Sequence, residues 1–148
     1  MNMASKYTIL STVVVIILFA IIIVKSKKMD DTTKFTINGG TFPMDAYVII
    51  TDNTVEAQEY AETILDRKFK PDDFVADGLT LSDDLGSTFV LWFPRACVKD
   101  ISIVHHELFH LTYSILSGCG VKLSDETDEV YAYELESLSK QFYKQLNQ

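Results

Sequence analysis

The sequence predicts an α+β domain built on a small mixed sheet, preceded by one N-terminal transmembrane helix. Three observations carry this. Thr8 to Val24 reads TILSTVVVIILFAIIIV, 17 residues without a charge. Two short runs, Ala46–Thr51 (AYVIIT) and Thr88–Phe93 (TFVLWF), are dense in β-branched and aromatic residues, as buried strands are. Two stretches in the C-terminal third place apolar residues at three-to-four spacing, the period of an amphipathic helix.

The elements follow in order. The apolar run would span about 25 Å as a helix, at the short end for a bilayer. Lys6 flanks it on one side and Lys25, Lys27 and Lys28 on the other. A cleaved signal peptide would want a shorter apolar core and a small-residue cleavage site. Here the run ends in Val24-Lys25-Ser26-Lys27-Lys28, which favours an uncleaved anchor over residues 1–28. One lysine before the span and three after it favour a cytoplasmic domain by the positive-inside rule. The chain is thus expected to be a single-pass membrane protein, held in the bilayer by residues 8–24. Residues 29–44 form a tether and a hairpin, with Phe35-Thr36-Ile37 turning through Asn38-Gly39-Gly40 into Thr41-Phe42. Residues 45–148 form the domain proper. AYVIIT is its first strand. Thr54 caps a helix that runs to about Phe69 and covers the sheet, and Pro71 closes it. Asp77-Gly78 and Asp83-Asp84-Leu85-Gly86 are turns. TFVLWF is a strand ended by Pro94.

Asp100 then caps a helix from about Ile101 to Ser117, with Ile101, Val104, Leu108, Leu111 and Ile115 along one stripe and Gly118 and Gly120 as the stop. On another face of that helix, beside Ile103 and Tyr113, lies His106-Glu107-Leu108-Phe109-His110, an H-E-x-x-H spacing. Residues four apart stand one above the other on a helix, so both imidazoles can reach one Zn²⁺ at about 2.0–2.1 Å. Glu107, next to the first histidine, is placed to move a proton to and from water. His105 points about 100° away and reads as a packed or surface residue.

Two imidazoles leave a tetrahedral zinc short of protein donors. The acidic run Ser124 to Glu129 opens the last helical pattern, in which Tyr131, Leu135, Leu138, Phe142 and Leu146 form a stripe. Asp125, Glu126, Asp128, Glu129, Glu134 and Glu136 are the candidate third ligands. Glu129 is preferred, because it lies in the first turns of the helix and helix-borne ligands are held more rigidly. Tyr133, one turn on, faces the metal side in this reading and could offer its phenol to an oxyanion. Tyr131 lies on the apolar stripe and belongs to the core.

HELFH, followed nineteen residues after His110 by Glu129 in DEVYAYELE, resembles the zinc metallopeptidases whose third ligand is a glutamate, the thermolysin-like gluzincins. The likeness is at the level of the motifs and spans roughly residues 45–148, and the chain resembles the minimal domains of this type seen in phage and bacterial proteins. It implies a zincin-like fold, zinc bound by His106, His110 and Glu129, and Glu107 as the general base of peptide hydrolysis. Thermolysin-like enzymes usually place an aspartate four residues after the ligand glutamate, where it orients a ligand histidine. Tyr133 stands there in this chain, so that support is absent. By analogy with the same enzymes, Thr88–Phe93 is a candidate edge for pairing an extended peptide substrate.

Charge narrows the function further. The whole chain carries 13 basic and 21 acidic residues; four of the lysines and none of the acids lie in residues 1–28. The remainder therefore has nine basic and 21 acidic residues, a formal −12. So acidic a domain argues against nucleic acid as a partner. Cys97 and Cys119 imply no disulfide framework and read as free thiols. The expectation is a membrane-anchored zinc peptidase acting on a peptide or protein. The alternative is a non-catalytic tethered binding module with a structural zinc.

Overall fold

A computed structural model of the protein describes residues 32–40 and 42–148. The predicted span over residues 8–24 lies outside the described residues. Among the described residues no helix is long and apolar enough to cross a membrane.

The elements are β1 (Thr33–Asn38), β2 (Asp45–Ile50), α1 (Thr54–Leu65), a 3₁₀ turn (Pro71–Phe74), β3 (Leu79–Ser82), β4 (Thr88–Phe93), a second 3₁₀ turn (Cys97–Lys99), α2 (Ile101–Gly118) and α3 (Asp128–Leu146). The four strands form one sheet in the order β1-β2-β4-β3. β2 and β4 run parallel, and each has an antiparallel neighbour outside it, β1 on one side and β3 on the other. The class is α+β with a small mixed sheet, as the sequence predicts.

Alternation along the two central strands explains why both read as continuous apolar runs. Ala46, Val48 and Ile50 of β2, with Phe89, Leu91 and Phe93 of β4, pack against Val104, Leu108, Leu111 and Ile115 of α2 and Leu138 and Phe142 of α3. The intervening Ile49, Val90 and Trp92 pack on the other face against Ala57, Ala61 and Leu65 of α1 and Phe74 of the 3₁₀ turn. Both faces of the sheet are covered, so no polar alternation survives in its middle.

Four local expectations differ from the structure. The expected hairpin return is taken by β2, with which β1 pairs, Phe35 opposite Val48, across a longer turn closed by Gly39 N–H to the Met44 carbonyl at 2.9 Å. The cap of α1 is Asn53, whose side chain accepts from Glu56 N–H, and not Thr54. That helix stops at Leu65 instead of Phe69 because Asp66 adopts a left-handed conformation, φ 47°. Leu79–Ser82, between two predicted turns, is a strand. Its four residues are too few to show a period clearly. Because β3 covers β4, the candidate peptide-pairing strand Thr88–Phe93 is interior. The open edge on that side of the sheet is β3.

Candidate metal centre and active site

α2 begins where the sequence places it. Asp100 accepts hydrogen bonds from Ser102 N–H at 2.9 Å and Ser102 Oγ at 2.6 Å, satisfying the first turn of the helix. The buried stripe fixes the helix on the sheet and turns His106 and His110 outward, both exposed. Their rings meet edge to face with centroids 4.6 Å apart, and the two Nε2 atoms are 3.0 Å apart. Two imidazoles on one tetrahedral zinc place their nitrogens roughly 3.3 Å apart. The pair is thus at hydrogen-bond distance, one ring nitrogen donating to the other, and close to the spacing that two ligands of one ion would have. His105 stands aside, its ring edge-on to Tyr143 at 6.0 Å.

Glu107 is buried, at 7 % exposure. Its Oε2 accepts a hydrogen bond of 2.8 Å from Thr80 Oγ on β3, and its backbone carbonyl lies 3.1 Å from the same hydroxyl. The edge strand thus clasps the glutamate of the motif at two points. Gly78, just before β3, gives the side chain its space. A Cβ there would lie 2.8 Å from Glu107 Cγ. His106 and Glu107, with Asp77, Gly78, Ser102 and Ile103, line a cleft of about 460 Å³. The sequence marks Gly78 only as part of a turn and gives Thr80 no role. Four alternating residues after a turn glycine are too short a signal to mark a strand, and only the fold reveals that this strand meets α2.

The third donor is not gathered with the histidines. Among the described residues no group of three or more His, Cys, Asp or Glu side chains is close enough to hold an ion. Of the six acids considered, several are engaged elsewhere. Glu126 accepts from Ser124 Oγ at 2.8 Å, Asp128 accepts from Glu129 N–H at 2.8 Å, and Glu136 pairs with Lys140 at 2.6 Å. Glu134 is buried against Gly39. Asp125 and Glu129 are exposed, and Glu129 alone of these two lies within α3, in its first turn. A ring contact between Tyr113 and Tyr131, 6.2 Å between centroids, sets this end of α3 alongside the turn of α2 that follows His110. Tyr131 is core, with its hydroxyl donating to the Val121 carbonyl at 2.8 Å. Tyr133 is 67 % exposed and lines a different cleft, with Gly40, Phe42, Val130, Glu134 and Ser137. The structure thus brings together His106, Glu107 and His110, and does not bring Glu129 or Tyr133 into their group.

Both cysteines are free thiols. Burial and the neighbouring Asp77 carboxylate push the Cys97 thiol above its usual range. Comparison of the chain with protein-family models, with curated proteins and with solved structures yields no match.

Proposed function

We propose that the protein is a zinc-dependent peptidase tethered to a membrane by residues 8–24, with a peptide or protein as substrate. The observation that carries this is the convergence of the His106 and His110 Nε2 atoms to 3.0 Å on the outer face of a helix whose intervening glutamate is clasped by the edge strand. His106 and His110 would hold the ion, with Glu129 as third protein donor, a choice supported by its place in the first turn of α3 and its lack of another partner among the described residues. Zinc at such a site polarises a peptide carbonyl and lowers the pKa of water toward 7. The rest falls to the chain itself. Thr80 occupies Oε2 of Glu107, so Oε1 is the atom left to accept a proton from the attacking water and pass it to the leaving amine. β3, the open edge beside this cleft, offers unpaired backbone groups to an extended substrate. A structural zinc would need two further donors beside the histidines and a catalytic one needs a single further donor, which favours the enzyme over the binding module.

Two measurements test the reading. Full-length protein in detergent micelles should carry one zinc per chain by elemental analysis, and His106→Ala or His110→Ala should remove it. Full zinc in both variants would sink the site. Glu107→Gln should keep its zinc while peptide hydrolysis falls by about 10²–10⁴-fold. A variant that cleaves as fast as the parent would show that Glu107 moves no proton.

A further inference from the structure

Two carboxylates are buried among the described residues, Glu107 and Glu134. The first has Thr80. The second is 6 % exposed, its Oε1 is sealed from solvent, and that oxygen has no hydrogen-bond partner among the described residues. No ligand can reach the sealed Oε1, but a carboxylate buried without a counter-charge is costly as a whole, and its other oxygen, Oε2, lies toward Gly40 at a cleft that both residues line. Glu134 faces the turn between β1 and β2. A Cβ on Gly39 would come within 3.3 Å of Oε1, and one on Gly40, which has φ +56°, within 3.7 Å of Oε2 and 3.3 Å of Ser137 Oγ. Gly39 closes the Oε1 side, where a Cβ would also meet the Phe42 carbonyl at 2.8 Å, whereas Gly40 keeps open a space on the Oε2 side that a side chain would fill. That space belongs to the cleft of about 410 Å³ lined by Gly40, Phe42, Val130, Tyr133, Glu134 and Ser137. None of the described residues lining it is basic.

We propose that this cleft binds a primary ammonium group, with Glu134 as counter-ion and the Phe42 and Tyr133 side chains as its aromatic walls. The chemistry of the lining narrows the ligand. A cation beside aromatic rings gains from their negative faces, and a carboxylate supplies the opposite charge. A guanidinium would seek both carboxylate oxygens in a bidentate fork, yet Oε1 is sealed behind Gly39. A compact ammonium needs only the oxygen beside Gly40 and can give a second hydrogen to Ser137 Oγ. A hard metal ion would want several oxygen ligands, and one carboxylate between two aromatic residues does not supply them. The ammonium can belong to a peptide amino terminus or to a lysine side chain. The site stands apart from the histidine pair, so it does not depend on the zinc reading.

The test uses three small probes on the full-length protein in detergent micelles, read by the amide NMR signals of Gly39, Gly40 and Tyr133. Alanine methylamide carries only an α-ammonium, Nα-acetyl-lysine methylamide only a side-chain ammonium, and Nα-acetyl-arginine methylamide only a guanidinium. One of the first two should bind in roughly the millimolar range, and which one does identifies the source. The arginine probe should bind at least about tenfold more weakly. Glu134→Gln should abolish the response. Val130→Lys should abolish it as well with Glu134 intact, because Val130 is exposed and a lysine one turn before Glu134 brings its own ammonium to the cleft. The proposal is overturned if neither ammonium probe moves the glycine signals. It is equally overturned if the arginine probe binds as tightly, or if either variant binds like the parent.

Discussion

Gly78 shows how much a single residue can decide at this site. Its missing side chain is what lets Glu107 lie inward against β3, where Thr80 holds it. An alanine Cβ would sit 2.8 Å from Glu107 Cγ and 3.3 Å from both Ile103 and Phe93. The Glu107 stem cannot swing aside without leaving Thr80, and Phe93 is fully buried. Gly78→Ala should therefore cost about 1–3 kcal/mol in a denaturant titration, through overpacking. It should also displace Glu107 and lower peptide hydrolysis while zinc content holds. Unchanged stability and unchanged activity together would show that the strand and helix can part freely. At this scale the sequence is legible only where chemistry is local. The H-E-x-x-H spacing fixes the convergence of His106 and His110 because both sit on one helix. The roles of Gly78 and Thr80 arise from a contact between residues 27 apart in the chain, which spacing cannot announce.

Element boundaries were legible where the signal lay within one turn, and less so where side chains bring the chain back on itself. Asp100 and the strand TFVLWF are found where the residues place them, since a cap and a buried β-branched run need no distant partner. The end of α1 is different. Glu62, near that end, gathers Gln58 Nε2, Lys68 Nζ and the Phe69 N–H, so residues 66–69 fold back as a loop instead of continuing the helix. These bonds, the Gln58 amide first and then Lys68 and the Phe69 amide, hold the Glu62 carboxyl well below its usual range, at about 2. A carboxylate whose folded pKa is depressed stabilises the fold above its unfolded pKa of roughly 4.3, and that contribution fades as pH falls toward the folded value. Thermal unfolding followed from about pH 5 down to about pH 2 should lose part of its midpoint in this window. Glu62→Gln should lack that part of the pH dependence, and at neutral pH it should melt somewhat lower than the parent. The group is at the surface, so the effect should shrink with added salt. Parallel pH curves for the parent and the variant would remove Glu62 from the account of how α1 ends.

At the scale of the whole folded unit, Thr32–Gln148, three layers depend on α3 closing over a face of the sheet that α2 alone does not cover. The amphipathic period of the C-terminal residues makes that helix legible, but not its partners. Phe142 is fully buried, with its ring 5.4 Å from Phe35 of β1 and 5.5 Å from Phe93 of β4, in both cases edge to face. Gln141 beside it ties the same helix to β1, accepting from Asn38 N–H at 3.1 Å and donating to the Asn38 carbonyl at 2.8 Å. β1 therefore belongs to the sheet that α3 covers, although residues 29–44 read from the sequence as a tether and hairpin ahead of the domain. Phe142→Ala would open a cavity where β1, β4 and α3 meet and remove two aromatic contacts, at a cost of about 3–5 kcal/mol. Domains of this kind have about 5–15 kcal/mol in all, so the variant should remain folded only marginally. Its urea midpoint should fall steeply, and amide exchange should quicken first in α3 and β1. If Glu129 is the third zinc ligand, loosening α3 should also weaken zinc binding, although Phe142 lies 13 residues further along the helix. His106→Ala should behave in the opposite way, losing zinc with little loss of stability in the metal-free protein, because its ring is exposed. A Phe142→Ala variant destabilised by less than about 1 kcal/mol would mean that α3 is not the element that closes the core.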